Sequence, residues 1–268
     1  MSVEFAIIGG TGVYDPGLLT SPETIHFETP YGVANATVGT YQDRQIAFMP
    51  RHGSGHSIPP HKINYRANIY ALKQLGVTQV LATAAVGSLQ PKYQPGDLVV
   101  VDDFLDFTKS RAMTFFETDE VVHVDMSNAY CPRLRQALVR SGADQALSLH
   151  DGGIYVCAEG PRFETPAEIR LYQSFGAAVV GMTSVPEAVL AKEAELCYAS
   201  VCMVTNYAAG ISSTPLTHVE VVEKMAENVH KIRQLFFATI ANLPGERDCL
   251  CATAVGAQTP LTGLGANK

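Results

Sequence analysis

Phe5-Ala-Ile-Ile-Gly-Gly-Thr-Gly12 is a short apolar run that ends in a glycine-rich bend, so it reads as a strand entering a tight loop. The same grammar recurs along the chain. Residues 35–39 and 45–49 flank a Tyr-Gln-Asp-Arg turn and read as a hairpin. Residues 62–75 carry helical spacing through Ile63, Ala67, Tyr70 and Ala71 and stop at Gly76. Residues 78–84 and 98–101 are β-branched or apolar, and Pro132 suits the first turn of a helix over 132–139. Strands are expected at 154–158, 178–181 and 198–205. Thr165-Pro-Ala-Glu168 has the cap, the proline and the third-position Glu of a helix start, and further helices are expected at 185–196 and 219–242. Strands alternating with helices of this length predict a single α/β domain over residues 1–244, with a mixed central β-sheet flanked by helices. The segment 245–268 is rich in Gly, Ala, Thr and Gln, has weak periodicity, and is expected to be irregular or disordered.

The chain has 268 residues, 47% of them hydrophobic, which suffices for a large core. A net charge of −7 argues against sequence-blind nucleic-acid binding, which needs a basic face. A small anionic substrate is still allowed, because a few local donors outweigh a distant net charge. No apolar run approaches the roughly 18 to 20 residues that span a bilayer, and residues 1–8 lack the basic region of a signal peptide. A soluble cytoplasmic protein is the default expectation. Cys131, Cys157, Cys197 and Cys202 sit in apolar or mixed segments and are expected as buried free thiols. Cys249 and Cys251 form a close pair, but with no second Cys or His pair nearby in the sequence no metal site is expected.

Four segments offer groups for an anion. The loop after the first strand can aim backbone N–H groups outward, and Thr11 adds a hydroxyl. In Pro50-Arg-His-Gly-Ser-Gly-His56, Arg51 presents a planar fork suited to phosphate, while His52 and His56 suit an anion or a ribose. The glycines break any helix there, which removes the two-histidine zinc alternative. Thr83-Ala-Ala-Val-Gly-Ser88 supplies small residues, including Ala84 and Ala85, that let backbone approach a ligand. Thr183, in Gly181-Met-Thr-Ser-Val-Pro-Glu187, would lie at a strand end beside a helix N-terminus, with Met182 placed to cover a sugar face. Taken singly, each segment also fits an ordinary turn or packing site.

Glu164 and Asn206 point to what would be bound beside that anion. A carboxylate only accepts hydrogen bonds, whereas a carboxamide both donates and accepts. Together they match a heterocycle with an N–H next to a carbonyl, as in hypoxanthine or guanine. Adenine presents the opposite pattern on that edge.

These segments resemble the trimeric purine nucleoside phosphorylase and 5′-methylthioadenosine phosphorylase family. The matching stretches are Ile8-Gly-Gly-Thr-Gly12, Arg51-His-Gly, residues 60–68, Gly87-Ser, Gln94-Pro-Gly-Asp97, Glu159-Gly-Pro-Arg-Phe163, residues 181–187, Ala191-Lys-Glu-Ala194 and Tyr198-Ala-Ser200. They run in order over residues 4–242, and the pattern is nearest the methylthioadenosine branch, some of whose members also carry Cys-x-Cys tails. The resemblance implies phosphorolysis with inorganic phosphate as co-substrate, no cofactor, and a homotrimer. It implies phosphate contacts from Thr11, Arg51, His52, Thr183 and the backbone around Ala84 and Ala85, with Met182 behind the ribose. A hydroxyl residue common in that branch is replaced here by Ala84.

At the base the chain departs from the methylthioadenosine branch. That branch has Asp where Asn206 and Ala208 stand and Ser where Glu164 stands, whereas 6-oxopurine phosphorylases have Asn at the Asn206 position and Glu at the Glu164 position. Asn206 and Glu164 are therefore expected to act on the base in catalysis, with Tyr207 and Ala208 beside them. For the 5′ end, aligning back along the last helix puts His218 where 5′-hydroxyl enzymes have a His, and aligning forward from Asn206 puts Val219 there. His123 resembles a residue that reaches a neighbouring subunit's 5′ pocket, which keeps 5′-methylthioinosine as an alternative substrate. A non-catalytic nucleoside sensor would lack Arg51 and the phosphate hydroxyls, which are present. A nicotinamide-dependent dehydrogenase would need fuller glycine spacing than residues 9–12 give.

Overall fold

In a computed structural model, residues 3–10, 13, 16–118, 120–212 and 218–256 are described. The strands are β1 (Phe5–Gly9), β2 (Thr20–Thr29), β3 (Gly32–Tyr41), β4 (Arg44–Pro50), β5 (Gln79–Ser88), β6 (Leu98–Val100), β7 (Asp103–Phe107), β8 (Leu149–Asp151), β9 (Ile154–Ala158), β10 (Val179–Gly181) and β11 (Cys197–Tyr207). The helices are α1 (Tyr65–Gln74), α2 (Pro132–Asp144), α3 (Pro166–Ser174), α4 (Ser184–Glu193) and α5 (His218–Asn242). All the strands join one mixed sheet, so the expected single α/β architecture holds. No helix among the described residues is long and apolar enough to cross a membrane.

The sheet separates two apolar layers. Val80, Ala82, Ala84 and Val86 of β5 belong to the layer that includes α1 and α4 residues, while Leu81 belongs to the layer of α2 and α5. In β11, Ala199, Val201 and Met203 face the second layer, and Tyr198, Cys202 and Val204 face the first. This period-2 alternation, apolar on both sides, is what a strand covered by helices on both faces requires.

β5 is the axis of the site. One edge is paired with β11 along its whole length, in parallel. The other edge is shared: β1 runs parallel to Gln79–Ala82, and β10 pairs antiparallel with Gly87 and Ser88. Residues 83–86 therefore have no strand on that edge among the described residues. The gap opens where the sheet changes direction, the place where open α/β sheets bind ligands.

Some expectations shift. α1 begins at Tyr65, not near residue 62, because Pro60–Lys62 forms a separate 3₁₀ turn and Asn64 caps the helix, accepting from the Ala67 N–H at 3.1 Å. The segment after Pro244 is not irregular throughout. Residues Leu250–Thr253 form a 3₁₀ turn, Cys251 and Val255 are buried, and Arg247 Nη1 donates to the Glu195 carbonyl at 2.9 Å. Arg133 Nη2 donates to the Pro244 carbonyl, which ties the start of the tail to α2. Residues 257–268 lie outside the described residues.

Candidate active site

The gap beside β5 is a cleft. Arg51, His52, Thr83, Ala84, Ala85, Glu164, Met182, Thr183, Asn206 and Ala208 all line it, with Gly10, His56, Phe163 and Thr205. The structure thus brings most of the expected residues to one place. Thr11 lies outside the described residues, although its neighbours Gly10 and Val13 line the same cleft. Tyr207 does not line it; its carbonyl instead accepts from Asn206 Nδ2 at 2.9 Å. His218 opens α5, but its side chain and that of Val219 lie outside what the structure describes.

The anion end is built on a buried ion pair. Arg51 Nε donates to Glu187 Oε1 and Nη2 to Glu187 Oε2 at 2.8 Å, while Nη1 donates to the Thr83 carbonyl at 2.8 Å. Tyr198 Oη donates to Glu187 Oε2 at 2.8 Å. Arg51 and Glu187 are 2% and 1% exposed, so neither is left to solvent. Burial disfavours the Arg51 charge, but the Glu187 carboxylate more than offsets this and raises its pKa. A guanidinium has five N–H donors, and with three engaged, one on each Nη nitrogen remains for a ligand.

This pairing changes the electrostatics. Glu187 cancels the Arg51 charge, and His52 brings none: burial and then the Arg51 charge push its pKa down to about 4, although the hydrogen bond to Ile58 favours the charged form. His52 Nδ1 lies 2.8 Å from the Ile58 carbonyl, which only accepts, so Nδ1 carries the proton and Nε2 is an acceptor. The site is suited to an anion through directed donors more than through net charge. Because N–H and C=O of one residue leave a strand on the same side, the Arg51 bond to the Thr83 carbonyl marks Thr83 and Ala85 as the residues whose backbone faces the gap. Ala85 N–H is thereby aimed into the gap, whereas Ala84 N–H, also expected at the anion, turns towards β11 and leaves Ala84 as an apolar wall. Thr183 is the N-cap position of α4, where the helix adds partial positive charge. Its N–H is held by Tyr155 Oη at 3.1 Å.

His52 also sets a pH dependence. Its folded pKa lies below its unfolded value, so the unfolded chain takes up the proton first on acidification. The stabilisation is complete above about pH 6.5 and is lost as pH falls towards 4, with a total on the order of 3 kcal/mol. Urea unfolding of the protein should show stability falling across that window, with a flatter slope in His52→Asn. Equal slopes would count against a buried neutral imidazole.

The base end is shaped by a bulge. Val204 of β11 pairs with Val86, but Asn206 pairs with Gly87, so Thr205 is the extra residue. A bulge re-aims side chains near a site. Here Thr205 Oγ1 donates to Asn206 Oδ1 at 2.7 Å, and Asn206 Nδ2 donates to the Tyr207 carbonyl. These contacts orient the carboxamide and leave its second Nδ2 hydrogen for a ligand. Gly87 permits the close approach, since a Cβ there would sit 3.3 Å from Asn206 Nδ2. Ala208 is buried and lines the cleft beside Asn206.

Glu164 stands one residue before the α3 cap. Thr165 and Glu168 form the expected capping box, with Glu168 N–H to Thr165 Oγ1 at 3.2 Å and Thr165 N–H to Glu168 Oε2 at 2.7 Å. The box fixes the backbone that carries Glu164. Glu164 Oε1 is buried without a hydrogen-bond partner among the described residues, and so is Thr83 Oγ1. An unpartnered buried acceptor costs about 1–3 kcal/mol, a cost that a ligand N–H removes. Burial first, then the Glu168 charge, raise the Glu164 pKa, with Arg162 acting in the opposite sense. Protonation converts this acceptor into a donor. On acidification through that raised pKa, KM for an N1–H purine nucleoside should rise relative to that for adenosine, and the ratio should lose its pH dependence in Glu164→Gln. A ratio that is flat with pH in the unaltered protein would contradict this.

Three supporting residues were not assigned roles from sequence. Glu187 was visible within its motif, but its partner Arg51 is 136 residues away. Thr205 acts through the bulge, which leaves no local sequence signal. Arg111 donates to the carbonyls of Met182 at 2.5 Å and Glu159 at 2.7 Å, and to Tyr65 Oη at 3.2 Å, so it pins the backbone of Met182. Met182 also packs under Gly160, whose φ of +67° and close contact leave no room for a Cβ.

The phosphorylase superfamily model matches residues 4–241. A Moorella thermoacetica protein named probable 6-oxopurine nucleoside phosphorylase is 57% identical over 256 residues, covering 95% of this chain and 98% of that relative. A Methanothermobacter thermautotrophicus protein named probable S-methyl-5′-thioinosine phosphorylase is 52% identical over 253 residues, covering 93% and 88%. Among solved structures, a methylthioadenosine phosphorylase from an antarctic soil metagenomic library superposes with a TM-score of 0.91 at 35% identity, covering 99% of this chain and 96% of that one. With a matching model over most of its length, a shared fold and relatives above half identity, the chain belongs to the phosphorylase superfamily.

Proposed function

We propose that the chain is a 6-oxopurine nucleoside phosphorylase, converting inosine or guanosine and phosphate to free purine and ribose 1-phosphate. The observation that carries this is the pairing, in the cleft that Arg51 also lines, of a Glu164 carboxylate oxygen with no partner among the described residues and the oriented Asn206 amide. Glu164 accepts from purine N1–H, and from the 2-amino group of guanine. Asn206 donates to N7 or O6. Phosphate held by Arg51, the Ala85 N–H, Thr183 and Thr11 lies beneath C1′. The neutral His52 accepts from a phosphate or ribose O–H. A phosphate oxygen bonds to C1′ as the C1′–N9 bond breaks and its electron pair enters the purine. Asn206 stabilises that charge as it forms, and the anion stabilises the cationic sugar. Met182 covers the ribose.

Phosphate is a co-substrate, and no cofactor is required. A homotrimer in the cytoplasm is the working assembly, in keeping with the family resemblance. The test is release of hypoxanthine from inosine with and without phosphate. Release that depends on phosphate, with ribose 1-phosphate as co-product, supports the assignment. Phosphate-independent release, or none, sinks it.

The Methanothermobacter relative favours a second reading, 5′-methylthioinosine as substrate. That substrate would use the same base and phosphate contacts and differ only at the 5′ end. Comparing kcat/KM for inosine and methylthioinosine decides between them, and His218→Val shifts that ratio towards methylthioinosine if His218 holds the 5′-hydroxyl.

A further inference from the structure

Cys249 and Cys251 have no second Cys or His pair near them in the sequence, but folding supplies one. Cys131 and Cys197 meet them, and the four Sγ atoms all lie within 4.8 Å of one another. Cys131 Sγ is 3.7 Å and Cys197 Sγ is 3.3 Å from Cys249 Sγ. A tetrahedral zinc with Zn–S bonds of about 2.3 Å places its sulfurs about 3.8 Å apart. We propose that Cys131, Cys197, Cys249 and Cys251 form a closed four-thiolate zinc site that staples the C-terminal segment to the body of the fold.

Four features support it. Each sulfur has three sulfur neighbours, which suits one shared centre, and none of the four is bonded to another. The ligands come from three separate places: the N-cap of α2, the first residue of β11, and the 3₁₀ turn of the tail. A thiolate at the α2 N-terminus is favoured by the helix. Cys131, Cys197 and Cys251 are buried within the apolar layer of α2 and α5, where water is excluded, as in closed structural zinc sites. Binding exchanges the four thiol protons for one divalent ion, with no oxidation.

The site is structural. Cys197 and Asn206 stand at opposite ends of β11, about 30 Å apart at roughly 3.3 Å per residue. Arg133, two residues from Cys131, already holds the same tail through the Pro244 carbonyl and Asp248, 3.3 Å from Nε.

The test uses the full chain, purified under nitrogen with a phosphine reductant and no chelator, equilibrated with zinc and gel-filtered. Elemental analysis should give about one zinc per chain, released when an organomercurial titrates the thiols. Cobalt in its place should give a thiolate-to-cobalt charge-transfer band. Cys249→Ser/Cys251→Ser should lose the zinc and lower Tm, with kcat/KM at moderate temperature unchanged within about twofold, a bound set by the distance from the cleft. Cys202→Ser, outside the cluster, should keep the zinc, which separates loss of a ligand from general damage. Zinc well below one per chain with the four thiols still titratable, or the four recovered as disulfides from that preparation, overturns the proposal.

Discussion

Asn206→Asp is expected to lower kcat/KM for inosine by about 10²–10³-fold, the usual effect of removing a donor aimed at developing charge. The Nδ2 hydrogen left over by the Tyr207 carbonyl is the one that, on the proposed function, donates to the purine. A carboxylate in its place turns lone pairs towards N7 and O6 as negative charge accumulates there. The loss should fall on kcat more than on KM, because the donor matters most when the C1′–N9 bond breaks. Adenosine should suffer less, since its 6-amino group can donate to the new acid. A measured inosine-to-adenosine ratio that does not fall in Asn206→Asp would remove Asn206 from base recognition.

The second large effect concerns the buried pair under the phosphate end. Arg51→Met strands Glu187, which is 1% exposed and would keep only the Tyr198 hydroxyl as a named partner. Removing one member of such a pair costs about 3–5 kcal/mol, whereas replacing both with apolar groups of similar volume is often neutral. Arg51→Met should therefore lower both stability and activity. Arg51→Met/Glu187→Met should recover most of the stability and none of the activity, because the two Nη hydrogens left for the proposed phosphate are gone. Urea unfolding and phosphate saturation curves on the three proteins check both halves. A double variant no more stable than the single one would show that the pair is not the source of the cost.

Much of the frame was legible because it is written locally. The apolar run of residues 5–8, the β-branched and apolar stretch of β5 and the Thr165/Glu168 capping box each act within a few residues, and each appears as expected. β2 was missed for an equally physical reason. It is an exposed edge strand with Pro22 inside it and only Ile25 and Phe27 to mark a buried face. The site residues were legible as residue types, but their geometry was not. The Thr205 bulge, the Glu187 clamp on Arg51 and the Arg111 clamp on Met182 arise from contacts across the sheet that no local pattern records. Tyr207 was placed beside the base by its adjacency to Asn206, while in the structure it does not line the cleft and its carbonyl accepts from Asn206 Nδ2. The cysteines combine both lessons, since 118 residues separate Cys131 from Cys249 and only folding brings them together.

The most direct measurement is kcat/KM for inosine and adenosine, side by side, at saturating phosphate and neutral pH. On the proposed function, an N1–H facing Glu164 and a keto edge facing Asn206 predict that inosine wins by a wide margin, up to roughly 10⁴-fold for a site built on donor–acceptor matching. Equal rates, or faster cleavage of adenosine, would contradict 6-oxopurine recognition by these two side chains.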